Sequence, residues 1–217
     1  MGYTEDGLLV YTLQVGMVQT NCYIVGCAET REAVIIDPGD DADRILALVE
    51  EHALTVRYVL NTHCHFDHIG ANAEVIAATG ALLALHPAEI PVLSAQGLAP
   101  LFGVNGNDSP LPDLQLDDGD ELAVGSLRFQ VLLTPGHSQG GVAFYLAEQG
   151  AVFVGDALFA GGVGRTDLPG GDWDTLETSI RDVLFQLPDE TVVYPGHGPT
   201  TTIGREARHN PFVGGRR

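Results

Sequence analysis

Four side chains that can bind a cation occur within six positions of one segment, LNTHCHFDHIG at residues 60–70. The segment follows an apolar strand predicted at 56–62 and leads into a helix predicted at 68–80. Polar groups crowded against two apolar elements cost folding free energy unless they are paired or bind something. The end of this strand is therefore predicted to hold a bound partner. The four side chains are His63, His65, Asp67 and His68.

Strands and helices alternate in both halves of the chain. Short apolar runs predict strands at 8–15, 22–27, 33–39, 56–62, 81–85, 121–124, 127–133, 142–147, 151–155 and 191–194. Helical spacing of apolar residues predicts helices at 41–53, 68–80 and 173–187. Two irregular segments, 96–114 and 157–172, have the length of lids or binding loops. This order predicts two packed sheets with helices outside, in a single domain spanning 1–217.

The composition is that of a globular and strongly acidic protein. Apolar residues make up 45%, and ten cationic residues face 29 acidic ones for a formal charge of −19. All ten cations are arginine. Such a surface repels phosphate backbones, so nucleic-acid binding is not expected.

The cellular setting predicted from the sequence is the cytoplasm. The three cysteines do not form a regular disulfide framework. No secretory signal is visible, and no apolar run reaches the length needed to cross a bilayer. No membrane partner is therefore expected. The segment PLFGVNG at 100–106 is interpreted either as a homo-oligomer contact or as a lid.

Three further candidate ligands stand later in the chain, each beside glycine and just after a predicted strand. They are His137 in TPGHSQGG, Asp156 in FVGDALF and His197 in YPGHGP. Imidazole nitrogens with carboxylate oxygens suit zinc, iron or manganese. Seven candidate ligands exceed what one tetrahedral ion needs. The set therefore predicts two divalent metal ions bridged by a carboxylate.

Side-chain direction separates the residues of the first segment. In an extended stretch His63 and His65 point to one side and Cys64 to the other, so Cys64 is a poor ligand. Asp67 and His68 follow at a turn and can face a second ion. The remaining histidines are predicted to be surface or helix-capping residues: His52, His209 and His86.

The pattern T-H-x-H-x-D-H at 62–68, with the later histidines and aspartate, resembles the metallo-β-lactamase superfamily. The likeness extends from NCYIVG and IIDPG to YPGHG. It implies a four-layer αββα sandwich, an α/β fold of two mixed sheets flanked by helices, with a metal centre at one edge of the sheets. It also implies the distribution of ligands. The first metal would be held by His63, His65 and His137, the second by Asp67, His68 and His197, and Asp156 would bridge them.

Two stretches, GDALFAGGVGRTDLPGGD and YPGHGPTTTIGREARHNPF, look like those of the short glyoxalase II-like hydrolases. Position 156 also favours this group over the zinc β-lactamases, because it is aspartate here whereas the zinc β-lactamases most often have cysteine there. The resemblance implies a small-molecule thioester substrate such as S-D-lactoylglutathione. Full-length glyoxalase II grips glutathione with basic residues of a C-terminal helical extension, whereas this chain has no lysine. A different thiol carrier is therefore an alternative.

The mechanism expected from this resemblance is attack of a metal-bound hydroxide on the thioester carbonyl, with zinc favoured over iron or manganese. A thiolate leaving group has a conjugate acid of pKa about 8.5, so it departs without a strong general acid. Asp67 is predicted to be a ligand and a candidate proton carrier. Amides and lactams suit the site less well, because their nitrogen must be protonated as it leaves.

Two other activities remain open from the sequence. Persulfide dioxygenases are similar to this chain and share a G-R-T-D stretch; in them one iron is held by the equivalents of His63, His137 and Asp156. Two histidines and one carboxylate leave positions open for oxygen. A lactonase is the further alternative. A purely structural metal module is disfavoured, because such a site needs neither two ions nor a bridging acid.

Two more residues have candidate roles. Asp37 in VIIDPG is interpreted either as a carboxylate that orients a ligand histidine or as a turn residue before Pro38. Arg165 in GRTD is interpreted either as a contact for an anionic substrate end or as the partner of Asp167, or of another of the many acids, in a salt bridge.

Overall fold

The first half of the chain forms a seven-stranded sheet whose strands lie side by side in chain order. The structure is a computed structural model that describes residues 2–3 and 7–215. The strands are β1 (Gly2–Tyr3), β2 (Leu8–Val15), β3 (Thr20–Cys27), β4 (Glu32–Ile36), β5 (Thr55–Leu60), β6 (Leu82–Leu85) and β7 (Leu114–Gln115). Strands β1 to β4 pair antiparallel, and β4 to β7 pair parallel.

Parallel pairing needs crossover connections, and helices supply them. The first, α1 (Ala42–Glu51), joins β4 to β5. Two short helices, α2 (Phe66–Ile69) and α3 (Asn72–Thr79), join β5 to β6. The next, α4 (Ile90–Ser94), lies between β6 and β7.

The second half forms a six-stranded sheet and a small hairpin. Its elements are β8 (Glu121–Val124), β9 (Leu127–Leu133), β10 (Val142–Leu146), β11 (Ala151–Gly155), the hairpin β12 (Leu158–Phe159) and β13 (Gly162–Val163), α5 (Trp173–Thr178), β14 (Val192–Pro195), β15 (Thr201–Thr202) and α6 (Ile203–His209). The order in the sheet is β8-β9-β10-β11-β14-β15. Only β11 and β14 pair parallel, so β9, β11 and β14 all run in one direction.

Buried side chains form three apolar layers that hold these elements together. Successive side chains of β3 point to opposite faces of the sheet. Ile24 therefore lies in the layer under α1 and α3, and Val25 lies in the layer between the sheets. A third layer packs α5 and α6 on the second sheet, where Leu176 and Ile203 meet Val152. The predicted αββα sandwich of two mixed sheets is confirmed.

The helix predicted at 68–80 is wrong in detail, because the chain there forms α2 and α3 with a break at Gly70. A β-carbon at Gly70 would lie 2.2 Å from the carbonyl oxygen of Gly39. Ala71 N–H donates to the carbonyl oxygen of Pro38 at 2.9 Å. This close contact with the Pro38–Gly39 turn interrupts the helix.

The two segments predicted as irregular contain some structure. Gln96–Phe102 is a 3₁₀ turn inside 96–114, and the β12–β13 hairpin lies inside 157–172. The helix predicted at 173–187 is α-helical only in α5 and continues as a π-helical turn, Ser179–Val183. None of the helices in the described part of the chain combines the length and apolar character that crossing a bilayer requires.

Candidate metal centre

The seven predicted ligands converge at one edge of the sandwich because of strand direction. The segment 63–68 follows the end of β5, and His137 follows β9. Asp156 comes directly after β11, and His197 comes two residues after β14. Since β9, β11 and β14 are parallel to one another, their carboxyl ends lie at the same edge of the second sheet.

The first ligand group consists of His63, His65 and His137, with one ligand atom of each within 4.8 Å of the others. His65 Nδ1 and His137 Nε2 face each other at 3.0 Å. His137 Nδ1 donates to the carbonyl oxygen of Arg165 at 2.7 Å, because a carbonyl can only accept. This bond to Nδ1 leaves the Nε2 atom of His137 directed at the centre of the group.

The second ligand group consists of Asp67, His68 and His197, again with ligand atoms within 4.8 Å of one another. Asp67 Oδ2 lies 3.4 Å from His68 Nε2 and 3.2 Å from His197 Nε2. Thr20 Oγ1 donates to the same oxygen at 2.8 Å, which fixes the orientation of this carboxylate.

Asp156 faces both groups. Its Oδ1 lies 3.5 Å from His68 Nε2, and its Oδ2 lies 3.7 Å from His137 Nε2 and 3.4 Å from His197 Nε2. A β-carbon at Gly196 would lie 2.1 Å from Asp156 Oδ1. Glycine at 196 therefore leaves the space that this carboxylate occupies.

Unpartnered buried atoms provide a test of whether these residues fit metal ions. Three imidazole Nε2 atoms and one carboxylate oxygen are buried without a hydrogen-bond partner: those of His63, His65 and His68, and Asp156 Oδ1. Such atoms are costly to bury alone. Cations explain the Nε2 atoms of His63 and His68 and the oxygen of Asp156, and the nitrogen and carboxylate donors are of the type that zinc, iron and manganese accept. The donor set therefore fits metal ions.

Two imidazoles of the first group, those of His63 and His65, have lowered pKa values. Burial, followed by the charges of His68, His65 and His137, holds the pKa of His63 well below its usual value. Burial and the neighbouring His137 and His68 lower the pKa of His65 to about 3. Neutral imidazole is the form that binds metals, so both side chains are ready to act as ligands at neutral pH.

In the second group, neighbouring carboxylates raise the pKa values of both imidazoles. Burial lowers the pKa of His68, but Asp67, Asp156 and Asp37 outweigh it and hold that pKa well above its usual value. For His197, burial is outweighed by hydrogen bonds to Asp156 and Asp67, which raise the pKa to about 9. The Nε2 atoms of both imidazoles thus face carboxylate oxygens, in the place where a divalent ion would supply positive charge.

Asp37 contacts a candidate ligand, as the orienting interpretation requires. Its backbone has φ 51°, in the left-handed region, which ends β4 earlier than the predicted strand 33–39. Asp37 Oδ2 accepts from His68 Nδ1 at 2.9 Å, and both oxygens accept from Thr62 at 2.8 and 2.6 Å. The bond to Nδ1 leaves His68 Nε2 directed at Asp67 and Asp156.

Arg165 lies at the site, but its guanidinium is paired. Its Nε and Nη2 donate to the two carboxylate oxygens of Asp167 at 2.7 and 2.8 Å. The salt bridge that the sequence left open is thus present, while a substrate contact by Arg165 stays a prediction.

The cysteine and histidines that the sequence analysis excluded as ligands have other surroundings. Cys64 is buried in the layer under the helices, away from the first ligand group. His52 stacks on Tyr11 with ring centroids 4.2 Å apart. His86 Nδ1 accepts from Ala88 N–H and caps a short turn, as predicted.

Glu89 was missed by sequence reasoning. Its side chain is fully buried, and Oε2 accepts from Cys64 N–H at 2.8 Å while Oε1 accepts from Gly140 N–H at 2.7 Å. One carboxylate thus ties the loop of His63 and His65 to the loop of His137. In the sequence HPAEIP it looks like an ordinary surface acid, and no local signal marks it.

A cavity of about 200 Å³ opens onto the two ligand groups. Its described walls combine candidate ligands with apolar side chains and a single arginine: Val18, His65, Phe66, Asp67, Phe102, His137, Asp156, Arg165, Leu168 and His197. The ligands therefore face a space large enough for a small molecule.

Known relatives of this chain include named metallo-hydrolases. It is 40% identical to the probable metallo-hydrolase YqgX of Bacillus subtilis, over 94% of this chain and 96% of that protein. It is 38% identical to the hydroxyacylglutathione hydrolase GloC of Haemophilus influenzae, over 93% and 96%. It is also 36% identical to the mitochondrial persulfide dioxygenase ETHE1 of Mus musculus, over 88% of this chain and 70% of that one.

Two solved structures have the same fold at similar identity. BLEG-1, described as a B3 metallo-beta-lactamase, superposes with a TM-score of 0.90 at 39% identity, over 95% of this chain and all of that one. TTHA1623, solved in a di-iron-bound form, gives a TM-score of 0.85 at 45% identity, over 93% and 99%. The family model of the Metallo-beta-lactamase superfamily matches residues 15–197. The resemblance inferred from the histidine and aspartate pattern is confirmed at this level: the chain belongs to the Metallo-beta-lactamase superfamily.

Proposed function

We propose that this protein is a hydrolase that uses two metal ions to cleave thioesters, such as S-D-lactoylglutathione. The observation that carries the proposal is the second ligand group, Asp67, His68 and His197, which stands complete beside the first. Asp156 faces both groups within 3.7 Å. The relative GloC, named as a hydroxyacylglutathione hydrolase, supports the substrate class.

In this proposal His63, His65 and His137 hold one ion, and the second group holds the other. Bound ions would supply a water of lowered pKa as nucleophile and positive charge for the oxyanion that develops on the substrate. Zinc is the ion proposed first, with iron or manganese as alternatives. The di-iron form of TTHA1623 supports iron as one of them.

The chain's own contacts prepare these ligands. The carbonyl oxygen of Arg165 holds His137, and Asp37 holds His68, each through an Nδ1 hydrogen bond that leaves Nε2 facing the centre. Burial raises the pKa of Asp67, but His68 and His197 outweigh it and keep that pKa well below its usual value. An aspartate held ionised favours the ligand role over the proton-carrying role predicted for Asp67.

The surroundings of the cavity suit a thiolate leaving group. Among the described residues that line it, every titratable side chain except Arg165 is a proposed ligand. An amine leaving group needs a proton donor, whereas a thiolate leaves without one because the pKa of its conjugate acid is only about 8.5. Thioesters are therefore favoured over amides and lactams.

A mononuclear-iron persulfide dioxygenase is the second candidate. The mouse relative is named as such an enzyme, and His63, His137 and Asp156 form a two-histidine, one-carboxylate set of the kind that non-haem iron uses. This activity needs only the first ion, so substitutions in the second ligand group would distinguish the two proposals.

The test is thiol release from S-D-lactoylglutathione by protein purified without chelator, then stripped and reloaded with zinc, iron or manganese. Turnover that is lost with chelator and restored by metal is the expected result. His197→Ala should abolish it, whereas His209→Ala, outside the site, should not. Oxygen consumption with glutathione persulfide that survives His197→Ala would instead establish the dioxygenase. If neither substrate is consumed by metal-loaded protein, acyl lactones are assayed next and the thioester proposal is abandoned.

A further inference from the structure

Exposed apolar side chains gather at the mouth of the candidate metal centre. Half of the eight large apolar side chains exposed in the described part of the chain lie in two segments. Met17 and Val18 form the β2–β3 turn, and Leu101 and Phe102 end the 3₁₀ turn Gln96–Phe102. Val18 and Phe102 also line the cavity over the ligands. Clustered exposed apolar groups of this kind mark binding surfaces.

A second cavity of about 100 Å³ adjoins the first. The two cavities share Val18, Phe66 and Asp67 as common walls. The second one extends from there between the β2–β3 turn and the segment around Val104 and Asn105. We call it the side chamber. The side chamber therefore borders the cavity over the candidate ligands.

The walls of the side chamber determine what can enter it. The described residues that line it include no cation, and its two ionisable side chains are Asp40 and Asp67, both acids. An anionic group such as a carboxylate of glutathione is repelled there. Val15, Met17 and Val104 contribute apolar surface. Arg165 lines the first cavity instead.

We propose that the side chamber is an acyl subsite that takes an uncharged, apolar acyl chain of the thioester, while the thiol carrier lies towards Arg165. This inference rests on the proposed thioester hydrolysis and narrows its substrate class. A lactoyl group, which is short and carries a hydroxyl, gains little from the apolar walls. A longer alkanoyl chain gains about fourfold in binding for each methylene removed from water.

The experiment uses metal-loaded full-length protein and thioesters of one neutral carrier, N-acetylcysteamine. Acetyl, lactoyl, butyryl and hexanoyl esters are compared by kcat/KM. The expected order is a rise from acetyl through butyryl to hexanoyl, with about fourfold per methylene, and butyryl above lactoyl. Val104→Trp, which fills the side chamber, should lower the hexanoyl-to-acetyl ratio at least tenfold. Leu111→Trp, at an exposed position of the same loop that lines neither cavity, should leave that ratio unchanged.

Binding without turnover gives a second measurement. Ketone analogues in which methylene replaces the thioester sulfur are titrated by calorimetry, and the hexanoyl analogue should bind more tightly than the acetyl one. Turnover of all esters at equal kcat/KM, together with equal analogue affinities, would overturn the acyl subsite and leave the hydrolase intact. No turnover of any thioester by fully loaded protein would overturn the proposed function itself.

Discussion

Replacing Glu89 by Gln tests whether one buried carboxylate organises the first ligand group. Its two oxygens accept one N–H each, from Cys64 and from Gly140. Glutamine keeps the shape but turns an NH₂ group towards one of these donors. One hydrogen bond is lost and one buried N–H is left without an acceptor, which costs about 1–3 kcal/mol of unfolding free energy.

Loss of this hydrogen bond should also weaken metal binding. Cys64 lies between two proposed ligands, and Gly140 follows a third by three residues. Removing a contact that orients ligands typically lowers metal affinity by about 10- to 100-fold. Only the ion of the first group should be affected, since the second group has its own supports in Thr20 and Asp37.

The matched control is Glu206→Gln. Glu206 is equally buried, and it accepts from Thr201 Oγ1, Gly161 N–H and Asn210 Nδ2, none of which adjoins a proposed ligand. Urea unfolding should show both variants destabilised to a similar extent. Zinc titration of metal-free protein against a competing chelator should show weakened binding of one ion only in Glu89→Gln. Equal zinc affinities in the two variants would refute the organising role of Glu89.

Two further substitutions test the second ligand group and Asp156, the carboxylate that faces both ligand groups. Asp37→Asn removes the carboxylate charge at His68 and turns an amide NH₂ against either the His68 Nδ1–H or the Thr62 N–H, so the second ion should bind about 10- to 100-fold more weakly. Zinc titration checks this, and unchanged binding of both ions would contradict it. Gly196→Ala introduces a β-carbon 2.1 Å from Asp156 Oδ1. We expect thioester turnover to fall more than tenfold with an unchanged circular dichroism spectrum, and full activity would show that Asp156 has no fixed position.

The strands were largely predictable from the sequence because apolar runs and alternation depend on nearby residues. The run LLVYTLQV forms β2 at the predicted residues 8–15. The interruption between α2 and α3 was not predictable, since it depends on contact of Gly70 with Gly39, which lies far away in sequence. A helical pattern carries no information about such a contact.

The candidate ligands were predictable for a different reason. Histidines and aspartates beside glycine at strand ends have few structural uses, so their type alone suggested a metal site. Glu89 could not be found in this way, because its partners lie 25 and 51 residues away in sequence. For Arg165 the sequence offered two partners, and the structure shows the one two residues further along, Asp167.

The division of the chain into two sheets has a consequence for measurements of stability. Strands β1 to β7 belong to one sheet and β8 to β11, β14 and β15 to the other. An ion held by His63, His65 and His137, as proposed, would join both halves, so its release would be linked to their separation. Such linkage would make the melting temperature depend on the free metal concentration. A free metal concentration about a hundred times the Kd would add about 2.7 kcal/mol to the free energy of unfolding. Melting temperatures of two preparations are therefore comparable only when both are buffered at the same free metal concentration.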